Sequence, residues 1–211
     1  MWLGGEGPSE IGNRDLPDGE RVGAIEALLR KVRPDGWRVA GAVRWKHIRK
    51  FKVGAARGRD NHGDIHSIAG LVNMAFEAGC PIVAFTRDVD AEAPRAGAIQ
   101  RGIEHARAIP HLQRTQVIGG AARPALEGWI LALLGERDTE AMSRSRANAR
   151  LVEHGHDPKQ AETYVQIVET AAVDETRLPP GCDGLRAWLV TAAEVLGQAI
   201  RDDDTASSAD V

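Results

Sequence analysis

Apolar residues follow two rhythms along this chain: short runs dense in β-formers, and longer stretches where apolar positions recur every three or four residues. The clearest short run is Ile82-Val83-Ala84-Phe85, inside Pro81 to Asp90, with the character of a central parallel strand covered on both faces. Trp2 to Gly5 predicts an earlier strand that Gly7-Pro8 turns out of, and Trp37 to Ile48 another, with Val39, Ala40, Ala42 and Val43 as its apolar part. Gln113 to Ile118 predicts a fourth. Between them lie helical spacings. Val22, Ile25, Leu28, Leu29 and Val32 mark a helix over 18–32, ended by Pro34-Asp35-Gly36. Ile68, Leu71, Val72, Ala75 and Phe76 mark one from Ile65 to Gly79, with Asp64 at its cap. Further helices are predicted from Ala96 to about Ala108 and from Ala125 to Leu134. Strand and helix in alternation predict an α/β fold with a mostly parallel central sheet flanked by helices.

From Thr139 the pattern changes to helices with polar connections. One helix is expected over 139–152, one starting with Pro158 at its first position and running to about Ala172, and one from Leu185 to Ile200 that includes Trp188. This gives an α/β domain over 1–137, a C-terminal helical extension packed on it over 138–201, and a tail over 202–211 with nothing to bury, expected to be disordered.

With 211 residues, 43% of them apolar and 27% charged, the chain has enough material for a proper core. Two cysteines, Cys80 and Cys182, stand far apart, and Cys80 ends an apolar helical pattern, so a reducing, cytoplasmic setting is expected. No stretch reaches the length of a membrane span. The net charge of −3 argues against whole-surface attraction to nucleic acid, so such binding requires a local basic patch. One exists: Arg44, Lys46, Arg49, Lys50 and Lys52 are interleaved with Trp45 and Phe51, and Arg57 and Arg59 follow. Cations among aromatics suit phosphates and stacked bases; a solvated edge whose aromatics turn into the core is the competing reading. Arg95, Arg101 and Arg107 on the helix after Asp90 are further candidate phosphate contacts.

The candidate chemistry is acidic. Asp88 and Asp90 fall at the carboxyl end of the central strand, the edge where open α/β sheets bind ligands. Two crowded carboxylates repel unless a proton or cation intervenes, and a divalent metal is the simplest remedy; a turn cap is the ordinary alternative for Asp88. Glu6 follows the first strand, Glu10 lies one helical turn beyond it, and Glu127 follows the fourth strand; first-turn carboxylates that favour a helix dipole are the ordinary reading of the last two. His62 and His66 have metal-compatible spacing, but His62 precedes the expected helix, so ordinary polar roles are expected for both. Gly4-Gly5-Glu6-Gly7 lacks the spacing of a dinucleotide or Walker loop.

Acidic residues at three strand ends, Glu6, then Asp88 with Asp90, then Glu127, resemble Toprim domains, the metal-binding module of topoisomerases, primases and several nucleases. The opening Glu6-Gly7-Pro8-Ser9-Glu10 is closer still to small stand-alone Toprim-like proteins and to OLD-type (overcoming lysogenization defect) nucleases, which open on a similar pattern. Ala125 to Leu134 resembles a later element of the same group, and Asp157-Pro158-Lys159 a proline-lysine pair near its end. The resemblance spans about 2–160. Thr86-Arg87-Asp88-Val89-Asp90 departs from it, leaving open which carboxylate is the principal ligand. With Met1 almost on the first strand, nothing precedes it to shield that sheet edge, a place for a partner.

The resemblance implies a Toprim/Rossmann-like fold and a nuclease cutting DNA or RNA with two Mg2+ or Mn2+ ions, the effector of a prokaryotic defence system working with an ATPase partner or as a homo-oligomer. Hard cations prefer oxygen ligands, and two ions about 3.5–4 Å apart generate the nucleophile and relieve charge on the phosphate. Glu6, Asp88 and Asp90 are the first-choice ligands, with Glu10 and Glu127 completing a second site. Lys159 stabilises the transition state if its helix returns to the sheet edge, and is otherwise a first-turn lysine. The alternatives are a non-catalytic metal- or nucleotide-binding or ATPase-partner module, and phosphoryl transfer through an aspartyl nucleophile at Asp88.

Overall fold

The computed structural model describes residues 1–16, 18–51, 63–90 and 93–207. Lys52, Arg57 and Arg59 of the basic stretch, His62 of the histidine pair and the last four residues of the tail lie outside the described residues.

Four parallel strands form one sheet in the order β2-β1-β3-β4: β1 Trp2–Gly5, β2 Gly41–Arg44, β3 Ile82–Asp88 and β4 Gln116–Ala122. Eight α-helices complete the described chain: α1 Pro8–Ile11, α2 Ala24–Val32, α3 Gly63–Glu77, α4 Ala93–Ala108, α5 Leu126–Leu133, α6 Arg144–Glu153, α7 Ala161–Thr170 and α8 Asp183–Ser207. The fold is the layered, Rossmann-like α/β class that the alternating pattern predicts. Side chains of alternate parity leave the sheet on opposite faces. Leu3, Ala84 and Ile118 pack with α2, α5, α7 and α8, while Val83, Phe85 and Val117 pack with α3 and α4. Tyr164, Ile167, Leu185 and Trp188 share the first of these apolar layers, so the helices beyond 138 build on the sheet's own core.

Several boundaries differ from those expected. The strand expected over 37–48 shrinks to Gly41–Arg44, because Trp37 folds back to donate its indole N–H to the Arg33 carbonyl at 2.8 Å, under the Arg30 guanidinium. After Arg44 the chain tightens into a 3-10 turn, Trp45–His47, that turns Trp45 inward onto Phe85 at 5.8 Å. The fourth strand starts later, at Gln116, and runs on through Gly119-Gly120, past its expected end at Ile118. A Cβ at Gly119 would sit 2.3 Å from the Phe85 ring, so glycine here serves close packing rather than a bend. The helix expected from Pro158 begins only at Ala161, and α8 continues to Ser207, past its expected end at Ile200. Met1 is not a bare edge either. Strand β1 lies between β2 and β3, Met1 is buried, and its amino group donates to the Arg38 carbonyl at 2.9 Å.

No helix among the described residues is long and apolar enough to cross a membrane.

Candidate functional site

In a parallel sheet all strands end on one side, so residues following different strands meet there without being close in sequence. Glu6 follows β1 directly, Asp88 is the last residue of β3, and Glu127 stands in the first turn of α5 just after β4. Gly5 lets α1 fold tightly against β1, since a Cβ there would lie 2.7 Å from the Glu10 Cβ. That fold-back delivers Glu10 to the same edge. Its Oε2 accepts the Gly7 N–H at 2.8 Å, closing the short α1 turn. Glu6, Glu10 and Glu127 line one pocket of about 230 Å3 together with Ser9, Arg144, Pro158 and Tyr164.

Three of these carboxylates are almost removed from water: Asp88 is 2% exposed, Glu10 5% and Glu127 6%. Burial pushes the Glu10 carboxyl up to about 7, with the neighbouring Asp88 carboxylate adding to the rise and Glu127 contributing less. Burial likewise raises Asp88 to about 6, and the Glu127 charge raises it further, against the pull of Arg144 and the Leu126 N–H that donates to its Oδ1 at 3.1 Å. One Glu127 oxygen, Oε2, is buried without a hydrogen-bond partner. The Tyr164 hydroxyl, donating to the Pro158 carbonyl at 3.1 Å, is held well above its ordinary value by burial and the Glu127 charge.

Arginines stand among the acids. Arg144, at the start of α6, places Nη1 3.4 Å from Asp88 and 3.1 Å from Asp90, and Nη2 3.3 Å from Glu127. Arg87, on β3 beside Asp88, pairs with Glu6, reaches Asp64 at 3.1 Å and lies over the Trp45 ring at 4.9 Å. Arg95 bonds Asp64 at 3.2 Å, the Asp88 carbonyl at 3.3 Å and Asp90 at 3.5 Å. Asp90 itself takes a left-handed φ of 48°, which aspartate tolerates, and its side chain is exposed on the rim. An unbroken chain of opposite charges therefore runs from Glu6 through Arg87, Asp64, Arg95, Asp90 and Arg144 to Glu127.

Of the residues singled out from sequence, the fold brings Glu6, Glu10, Asp88, Asp90 and Glu127 to one edge. Lys159 lies elsewhere in kind: it is exposed, in a turn held by its own N–H on Asp157 at 2.9 Å, and only its neighbour Pro158 lines the pocket. Arg44 pairs with Asp15 at 2.7 Å at the end of β2, and Lys46, Arg49 and Lys50 are exposed. Of the two aromatics among these cations, Trp45 is core and Phe51 packs against the His111 ring at 6.0 Å. Asp64 is not a helix cap. It lies inside α3, 5% exposed, and binds Trp45, Arg87 and Arg95. Asp64, Arg87, Arg144 and Tyr164 are the site residues that sequence patterning passed over. Only Arg87 had a usable signal, as a charge within an otherwise apolar strand.

Among the described residues no group of three or more His, Cys, Asp or Glu side chains is arranged to hold a metal ion. The donor set still has the right chemistry for one. Carboxylate oxygens suit hard divalent cations, one of them lacks any partner, and two carboxyls are raised by burial and by neighbouring carboxylate charges that a cation would offset. No protein-family model, curated protein or solved structure matches this chain.

Proposed function

We propose that this chain is a metal-dependent nuclease of Toprim type, hydrolysing phosphodiester bonds in DNA or RNA. The observation that carries the reading is the meeting of Glu10, Asp88 and Glu127, three buried carboxylates from separate elements, with Glu6 at one sheet edge. Those four would hold Mg2+ or Mn2+, with Asp90 on the rim. Bound there, the ions would supply a nucleophilic hydroxide and charge relief on the phosphate. A cation there would relieve the rise that burial and the Asp88 charge impose on the Glu10 carboxyl. Arg144 and Arg87 supply guanidinium donors for the non-bridging phosphate oxygens once they turn from the acids they bind. Lys46, Arg49 and Lys50 give the polyanion backbone its affinity. Two buried, unpaired cysteines suit a reducing cytoplasm. An ATPase partner and a defence role belong to the same proposal and rest on the resemblance alone.

The charge chain favours one other reading, a non-catalytic metal- or partner-binding module, because Arg87 and Arg144 already neutralise the carboxylates. Purified protein incubated with plasmid, linear DNA and tRNA, with Mg2+, Mn2+ or chelator, separates the two. Cleavage that needs metal and is lost in folded Asp88→Asn and Glu127→Gln variants supports the nuclease. Cation binding with every substrate intact supports the module and refutes catalysis.

A further inference from the structure

A second pocket of about 420 Å3 opens beside the acidic one, with the opposite character. Lys46, Lys50, Arg87 and Arg95 line it, with Ser67 and Asp64. Its floor is the start of α3: Gly63 lines the pocket, and a Cβ there would stand 3.4 Å from the Lys50 ammonium nitrogen. Gly63 is the first residue of a 15-residue helix, and that end of a helix carries positive partial charge. An ammonium set against that end is repelled by it. Two lysines, two arginines and a helix start thus face one space, and Asp64, the one acid among the described residues that line it, is engaged by Trp45, Arg87 and Arg95. Like charges gathered this way are balanced by an anion between them.

We infer that this pocket is a phosphate site, and that the ligand is a phosphate monoester such as the terminal phosphate of a nucleic-acid strand. A doubly charged monoester fits four cations better than a diester, which carries one charge and needs an open path on both sides. Arg87 and Arg95 are shared walls: each also binds an acid of the neighbouring edge, Arg87 on Glu6 and Arg95 on Asp90. A strand anchored by its end phosphate here lays its next linkages over the carboxylates. The inference deepens the nuclease reading by naming its substrate as an end-phosphorylated strand, yet phosphate binding itself needs neither metal nor cleavage.

The test is run in chelator, so that it can fail independently of catalysis. Fluorescence anisotropy compares otherwise identical single-stranded oligonucleotides ending in 5′-phosphate, 3′-phosphate or hydroxyl. A terminal phosphate is expected to tighten binding about tenfold over hydroxyl. Lys50→Gln and Lys46→Gln, both at exposed positions, should erase that preference, whereas Arg114→Gln, the same charge change at an exposed site just before β4, should keep it. Competition with inorganic phosphate and with a mononucleotide tells the sources apart. Displacement only by end-phosphorylated strands supports the chain end, while equal displacement by mononucleotide overturns that part and leaves a small phosphate ester as the ligand. Equal affinity for phosphate and hydroxyl ends, or a preference unmoved by Lys50→Gln in protein that melts like the parent, overturns the phosphate site.

Discussion

Glu10→Gln is expected to stabilise the protein at pH 8 and to leave it unchanged at pH 4.5. A carboxyl raised in the folded state, here from 4.5 to about 7, binds its proton more tightly folded than unfolded. Between those values the native state holds more protons, so stability falls as pH rises; the penalty is absent below 4.5 and complete above about 7. Holding the charged form in place above pH 7 costs about 3 kcal/mol. Glutamine removes the charge while its carbonyl keeps accepting the Gly7 N–H, now at 2.8 Å, so the gain at pH 8 should approach that figure. Asp88, raised from 3.8 to about 6, shares the same field, and the two effects overlap rather than add. Urea unfolding followed by circular dichroism at pH 4.5, 6 and 8, in chelator, gives the variant-minus-parent difference, in which titrations not coupled to Glu10 cancel. A flat difference, or a variant less stable than the parent at pH 8, would refute the picture of a desolvated, repelled Glu10.

The same electrostatics governs three further outcomes. Millimolar Mg2+ or Mn2+ should raise the melting temperature at pH 8, by an amount equivalent to about 2.7 kcal/mol at a hundredfold excess over Kd, and should do nothing in Asp88→Asn, as differential scanning fluorimetry will record. Arg144→Ala removes the cation that offsets Asp88 and Glu127 and should cost about 1–2 kcal/mol in chelator at pH 8 while tightening Mn2+ binding measured calorimetrically; unchanged affinity would mean that Arg144 does not compete for the site. Asp64→Ala strands the Trp45 indole and takes one acid partner each from Arg87 and Arg95, and should cost about 1–3 kcal/mol in urea melts; a cost under about 0.5 kcal/mol would deny the charge chain its structural role.

The sheet was legible because its signals are local. A run such as Ile82 to Phe85 needs only its own composition to be read as a doubly covered strand, and Leu28-Leu29 and Leu71-Val72 carry their helical faces in their spacing. Glu6, Asp88 and Glu127 were legible for a related reason: each directly follows an apolar run, and a parallel sheet puts all such ends on one side. What failed was whatever depended on a distant neighbour. Gly119-Gly120 fell outside the expected strand, because only Phe85, filling the space a Cβ at Gly119 would take, gives a glycine there its place in the sheet. Asp64 has every local property of a cap, and only Trp45, Arg87 and Arg95, from three other elements, turn it into a buried hub. Arg144 follows a serine N-cap, as many surface arginines do; its approach to Asp88 is decided by how α6 packs against α5. The interleaved aromatics of the basic stretch suggested base stacking, yet Trp45 faces the core and its cations face outward.

Stability alone gives no reason for this edge to be charged. Replacing buried ion pairs by apolar side chains of similar size is commonly neutral or favourable, because desolvation consumes the attraction gained. The rest of the same sheet follows that rule: Leu3, Val83, Ala84, Phe85, Val117 and Ile118 are all apolar and buried. Where the strands end the chain places Glu6, Glu10, Asp64, Asp88 and Glu127 with Arg87, Arg95 and Arg144, and it leaves two of those carboxyls, Glu10 and Asp88, raised toward neutral pH, a frustrated arrangement. Local rules broken together at the edge where such sheets bind ligands, with two carboxyls left raised while the buried Glu26 on α2 is matched by Arg14 and Arg30, point to residues kept for what they bind. Acids repelling one another on one side of Arg87 and Arg95, and lysines repelling a helix start on the other, are each relieved by a ligand of opposite sign. On the proposed reading, a single phosphate-bearing strand with its metal ions would meet both demands at once.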